Sequence, residues 1–190
     1  MDEDGMSSRA SESFPQLLLP PDFSSSEVVG SLAELWRQRS TVDRRYMSVR
    51  RRAAFTSVAG ILKALPLGPN ALARIGTWPD TMVTATIEKA LTCRDPVEAM
   101  KMITRLDGFS PNTASHILYF FSDYDFLVMN EATLFVVDQR KVASTKGARF
   151  WKSFSDFSSS SCRALGVDIV TLQHAIWERA ASQRPNYAKA

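Results

Sequence analysis

The stretch Ile103-Thr-Arg-Leu-Asp-Gly-Phe-Ser-Pro-Asn-Thr-Ala-Ser-His-Ile-Leu118 decides how this chain is read. An apolar helical pattern ends at Leu106. Gly108 follows, and glycine adopts positive φ without steric cost, so a tight reversal is expected there. Phe109 can plug the gap between two helices, Ser110 can cap the second, and Pro111 fixes its first turn. Ala114, Ile117, Leu118 and Phe121 then recur at i, i+3, i+4 and i+7, one face of a helix. The pattern predicts two packed helices joined by a very short turn. Free N–H groups at the turn and at the second helix's start suit an anion such as phosphate, because open donors and the helix dipole both favour negative charge. The same geometry serves a plain αα-hairpin without a ligand equally well.

Helices extend on both sides. Ser26 is placed to cap one running to about Arg39, and Thr41 a longer one to Leu65, where Pro66 stops it. In that second helix Phe55, Val58, Ile61, Leu62 and Leu65 fall on one stripe. A short helix is expected from Asn70 to Ile75, ending at Gly76. Pro79 opens a helix to about Leu91, Asp95-Pro96 one to Leu106, and Ser110-Pro111 one to about Phe121. Three more are expected: Asn130 to about Val142, Gly147 to Leu165, and a last one after Asp168 to about Ala181. Ser158 to Ser161 weaken the middle of the second of these. Strand patterns are almost lacking. The fold class is therefore all-α, a compact helical bundle around the hairpin. Residues 1–25, rich in Ser, Pro and acid, read as a flexible tail whose apolar patch, Leu17 to Leu19, can dock on the domain. Residues 26–181 form the helical domain, and 182–190 a second loose tail.

Composition narrows the function. A hydrophobic fraction of 45% is enough for one globular core. No run approaches the roughly 18 apolar residues of a membrane span, so no membrane partner is expected. The acidic start does not read as a secretory signal. Cys93 and Cys162 stand in no metal-ligand spacing and read as small apolar residues in a reducing compartment. His116 and His174 are too isolated for a metal site. The net charge of +3 conceals an asymmetry: residues 1–26 carry five acids against Arg9, a balance of −4, so the rest of the chain carries +7. A basic body suits an anionic partner without naming one.

The hairpin stretch resembles the helix-hairpin-helix of the DNA glycosylase superfamily that includes endonuclease III and 8-oxoguanine glycosylase. That family's hairpin runs Leu-Pro-Gly-Val-Gly-x-Lys-Thr-Ala, where Leu106 to Ala114 here reads Leu-Asp-Gly-Phe-Ser-Pro-Asn-Thr-Ala. The family then places Pro-Val-Asp at the start of a later helix, where this chain has Val128-Met129-Asn130. The match spans roughly residues 98–138. The pattern from Phe150-Trp151 through Cys162 to Ala175-Ile176-Trp177 resembles small bacterial proteins with the 8-oxoguanine glycosylase fold.

The resemblance implies a glycosylase-like fold and duplex DNA as partner, with Gly108, Ser110, Asn112 and Thr113 gripping a phosphate and a modified or extruded base recognised nearby. It also implies lost chemistry. Asn112 stands at the Schiff-base lysine, and an amide is not nucleophilic, so lyase chemistry through it is excluded. Ser110 replaces the second hairpin glycine but supplies a cap. Asn130 stands at the catalytic aspartate, whose carboxylate in the family stabilises positive charge developing on the sugar or helps activate a nucleophile. Asparagine can still cap the following helix but carries no charge. The expectation is a DNA-binding glycosylase homologue with base excision lost or strongly reduced, needing no cofactor, monomeric, and located with DNA in cytoplasm or nucleus. One rival is an active monofunctional glycosylase of base-excision repair or defence, using Glu131 or another carboxylate. Glu131 is otherwise a favourable first-turn acid. The second rival is a helical protein-interaction module.

Two further groups bear on this. Arg37, Arg39, Arg44, Arg45, Arg50, Arg51 and Arg52 crowd sixteen residues without a lysine. They suit phosphates, Arg44 and Arg51 in particular, and equally a solvated helix face with nearby acid partners. Tyr119, Phe120, Phe121, Tyr124 and Phe126 follow the hairpin. At helical spacing most belong to a core, while Tyr124, in a loop, and His116 are the candidates to line a base pocket. A hydrogen-bonded structural role is the simpler reading of His116.

Overall fold

The computed structural model describes residues 17–40, 69–122, 126–137 and 147–189. Among these there are eight α-helices, a final 3-10 turn and no strand. They are α1 (Ser26–Arg39), α2 (Pro69–Ile75), α3 (Asp80–Thr92), α4 (Pro96–Thr104), α5 (Pro111–Phe121), α6 (Glu131–Val137), α7 (Ala148–Leu165) and α8 (Ile169–Gln183), followed by the 3-10 turn Pro185–Lys189. The expected helix from Thr41 to Leu65, with Arg44 and Arg51, lies outside the described residues, as do Tyr124 and the end of the helix expected to reach Val142.

Side-chain caps set the starts. Ser25, one residue before the expected cap, accepts the Val28 N–H at 3.3 Å. Asp95 accepts from Val97 at 2.8 Å, Ser110 from Thr113 at 3.1 Å, and Asp168 from Thr171 at 2.7 Å. Pro79 is the cap position of α3, which begins at Asp80. Gly166, at φ +65°, ends α7 in the left-handed conformation that closes many helices.

Two helices form the centre. α8 is buried along most of its length, from Ile169 to Ala181, and α5 from Thr113 to Phe120. A helix buried on most sides belongs to a core rather than a surface. α1 lies along α8 through Val29, Ala33 and Trp36, with the Trp36 and Trp177 rings 5.7 Å apart. Arg39 reaches the buried Glu178 carboxylate at 3.0 Å. α4 packs against α3, α5 and α7.

The non-helical run Phe126–Met129 threads between these helices and is buried throughout. A buried segment outside any helix or sheet must find partners for its amides elsewhere. Leu127 N–H donates to Ser158 Oγ of α7 at 3.3 Å, Val128 N–H to Gln173 Oε1 of α8 at 2.6 Å, and Met129 N–H to Ser115 Oγ of α5 at 2.8 Å. Gln173 also donates to the buried Thr133 hydroxyl at 2.9 Å. Ser158, which weakens α7 by propensity, is thus a fully buried anchor.

Both ends of the described chain close on α6. Leu18 N–H donates to Val137 O at 3.0 Å, Leu17 and Leu19 pack against the core, and Phe23 is buried. At the other end α8 continues to Gln183, and Tyr187 packs against Phe135 at 5.6 Å with the Arg184 guanidinium 4.2 Å from the Phe135 ring centre. Apolar and aromatic contacts hold both segments against the core. Among the described residues no helix is long and apolar enough to cross a membrane.

Candidate nucleic-acid interface

The α4–α5 hairpin has the expected short turn. Leu106 and Phe109 are both buried and fill the space between the helices, and Phe109 N–H donates to Leu106 O at 3.1 Å. Gly108 reverses the chain at φ +91°. Its back rests on α2: a Cβ there would stand 2.9 Å from Ile75 Cγ1 and 3.0 Å from both Ala71 O and Arg74 Cβ. Glycine is therefore required twice, for the dihedral and for the approach of α2.

Fewer of the turn's amides are open than the expected phosphate grip requires. The Gly108 N–H donates to the Asp107 carboxylate at 2.9 Å. Thr113 N–H goes to the Ser110 cap, and Ala114 N–H to Ser110 O at 2.9 Å. Pro111 has no N–H. Among the described residues the Ser110 and Asn112 amides remain without partners, and both residues are exposed. Gly108 and Thr113, expected to share in the grip, thus have their amides engaged within the chain, and Thr113 is buried.

A cavity of about 560 Å³ opens beside the turn, lined in part by Asn70, Arg74, Asp107, Gly108, Ser110 and Trp151. Arg74 Nη1 stands 3.9 Å from Asp107 Oδ1, and both side chains are 67% exposed. An ion pair so open to water contributes little to stability.

The positions of the two asparagines are joined through Ser115. Its hydroxyl donates to Asn112 O at 2.7 Å and accepts from Met129 N–H, immediately before Asn130. Asn130 caps α6: its Oδ1 accepts Thr133 N–H at 2.9 Å. Glu131 is exposed, and its carboxylate accepts the Tyr187 hydroxyl at 2.9 Å. It is held by the C-terminal turn. His116 is buried against Phe120, with Nδ1 2.9 Å from Asn112 O. A carbonyl only accepts, so Nδ1 carries the proton. Burial pushes the imidazole pKa down to about 4, against the contrary effect of that hydrogen bond. His116 is therefore buried and neutral, with its Nδ1–H engaged on the α5 backbone. Arg44, Arg51 and Tyr124 are among the residues not described.

Sequence reading missed three contributors. Arg74 reaches the hairpin only through tertiary packing. Asp107 stood in the quoted motif, but its bond to the next amide has no pattern of its own. Ser115 reads as an ordinary helix position until its burial is known. Among the described residues no three His, Cys, Asp or Glu side chains gather to hold a metal ion. The arrangement offers open amides and a nearby guanidinium to an anion, and at Asn130 a neutral amide engaged as a helix cap. The chain matches no family model, no curated protein and no solved structure.

Proposed function

We propose that this chain is a DNA-binding protein of the glycosylase type that holds duplex DNA by the α4–α5 hairpin and has lost, or nearly lost, base excision. The observation that carries the reading is the pair of open amides, Ser110 and Asn112, at the exposed start of α5. Such donors at a helix N-terminus suit a phosphate oxygen. The neutral Asn130, engaged as a cap, supports the loss of chemistry. An active enzyme working through Glu131 is the weaker reading, because that carboxylate is bonded to Tyr187.

The test has two arms. Duplex affinity is measured against salt, where counterion release requires a steady fall with a logarithmic slope of about −0.9 per phosphate neutralised. Absence of binding at low salt overturns the reading and favours a protein-interaction module. Base release is then assayed on duplexes carrying varied lesions. None is expected from the chain as it stands, and release by Asn130→Asp supports the degenerate-enzyme reading. Release by the unaltered chain overturns that part.

A further inference from the structure

Resting on that reading of the hairpin, we infer that Asp107 is a built-in competitor for the phosphate, occupying a place formed by the Gly108 amide and the Arg74 guanidinium. Asp107 Oδ1 lies 2.9 Å from the Gly108 nitrogen and 3.9 Å from Arg74 Nη1. One anionic oxygen thus faces a backbone donor and a cation together, which is the environment a phosphodiester oxygen requires. The guanidinium comes from α2, which the absence of a Cβ at Gly108 admits to within contact of the turn. The cavity of about 560 Å³ beside them leaves room for an incoming phosphate, and Ser110, whose amide is open, lines the same cavity.

The carboxylate is exchangeable. Both members of the ion pair are two-thirds exposed, so water and salt already weaken it. A phosphate arriving at the turn displaces Asp107 from Gly108 and takes over Arg74. Asp107 therefore lowers affinity for any duplex without blocking it, and Arg74 is the cation through which it acts.

The experiment is a double-mutant cycle on duplex affinity at low salt, with Asp107→Asn, Arg74→Gln and their combination. Asp156→Asn serves as control, since that acid is similarly exposed on α7 and lies outside the hairpin. Asp107→Asn should tighten binding about two- to fivefold, the range of an exposed ion pair released. The gain should exceed that of Asp156→Asn and should largely disappear in the Arg74→Gln background. Melting curves of all variants confirm that they remain folded. A gain equal to the control's, or equal in both Arg74 backgrounds, shows a long-range charge effect and overturns the inference. Binding by the unaltered chain with no gain from Asp107→Asn sinks the inference alone. Failure of every variant to bind sinks the proposed function with it.

Discussion

The Ser115 hydroxyl accepts the Met129 N–H at 2.8 Å, tying the second helix of the hairpin to the backbone just before Asn130. Both residues are buried. Ser115→Ala leaves that amide dry and without a partner, which costs about 1–3 kcal/mol. Urea unfolding should report a lower midpoint with unchanged slope. An unaltered midpoint would show that the amide finds another acceptor.

Gly108→Ala strains a backbone at φ +91° and drives a methyl to 3.0 Å from the Ala71 carbonyl oxygen. A backbone atom cannot swing aside as a side-chain tip can, so α2 must move. A loss of about 2 kcal/mol or more is expected, from strain and overpacking together. Thermal unfolding checks it, and a variant as stable as the parent would refute the close packing of α2 on the turn.

Asn130 can be tested as a cap apart from any catalysis. Asn130→Ala should cost about 1 kcal/mol, the ordinary loss of a capping side chain. Asn130→Asp keeps the acceptor and places a negative charge at the start of α6, so its stability at neutral pH should equal or slightly exceed the parent's. Denaturant unfolding of both variants separates this cap from any gain of activity.

His116 sets an acid sensitivity. Its folded pKa of about 4 lies below the ordinary 6.5. Between those values the unfolded chain binds a proton that the folded chain refuses, so stability falls as pH drops through this window, by roughly 3 kcal/mol at most. Above it the full stability is present. Glu178 acts in the opposite sense, since burial raises its pKa against the pull of Arg39 and the folded chain holds that proton more tightly. Replacing His116 by Gln isolates the imidazole: stability measured near pH 7.5 and near pH 4.5 should differ less in the variant than in the parent. Equal differences would contradict a buried neutral His116.

Much of the helical order was legible because its signals are local. Asp95-Pro96, Ser110-Pro111 and Asp168 mark the starts of α4, α5 and α8, and α7 fills the span expected between Gly147 and Leu165. Each needs only neighbours within a turn. Shifts of one residue, as at Ser25 and Pro79, reflect how finely a cap is defined by its own dihedrals. The run Phe126–Met129 was not legible. Its amide partners lie 14, 31 and 45 residues away, and no local pattern encodes them. The hairpin's turn was read correctly in shape, while the destination of the Gly108 amide was not, because Asp107 can bond either the chain or water. Arg184 and Tyr187 likewise gain their place only once Phe135 and Glu131 are beside them.

The same buried run carries a consequence for how the molecule assembles. Residues 127–129 borrow every one of their acceptors from α7, α8 and α5. They cannot be satisfied by any two of those helices alone, so their order arrives only when all three have met. Their amide hydrogens should then exchange with solvent only through global opening, as slowly as those in the middle of α8. A stretch outside every helix would thus be among the last parts of the protein to trade deuterium.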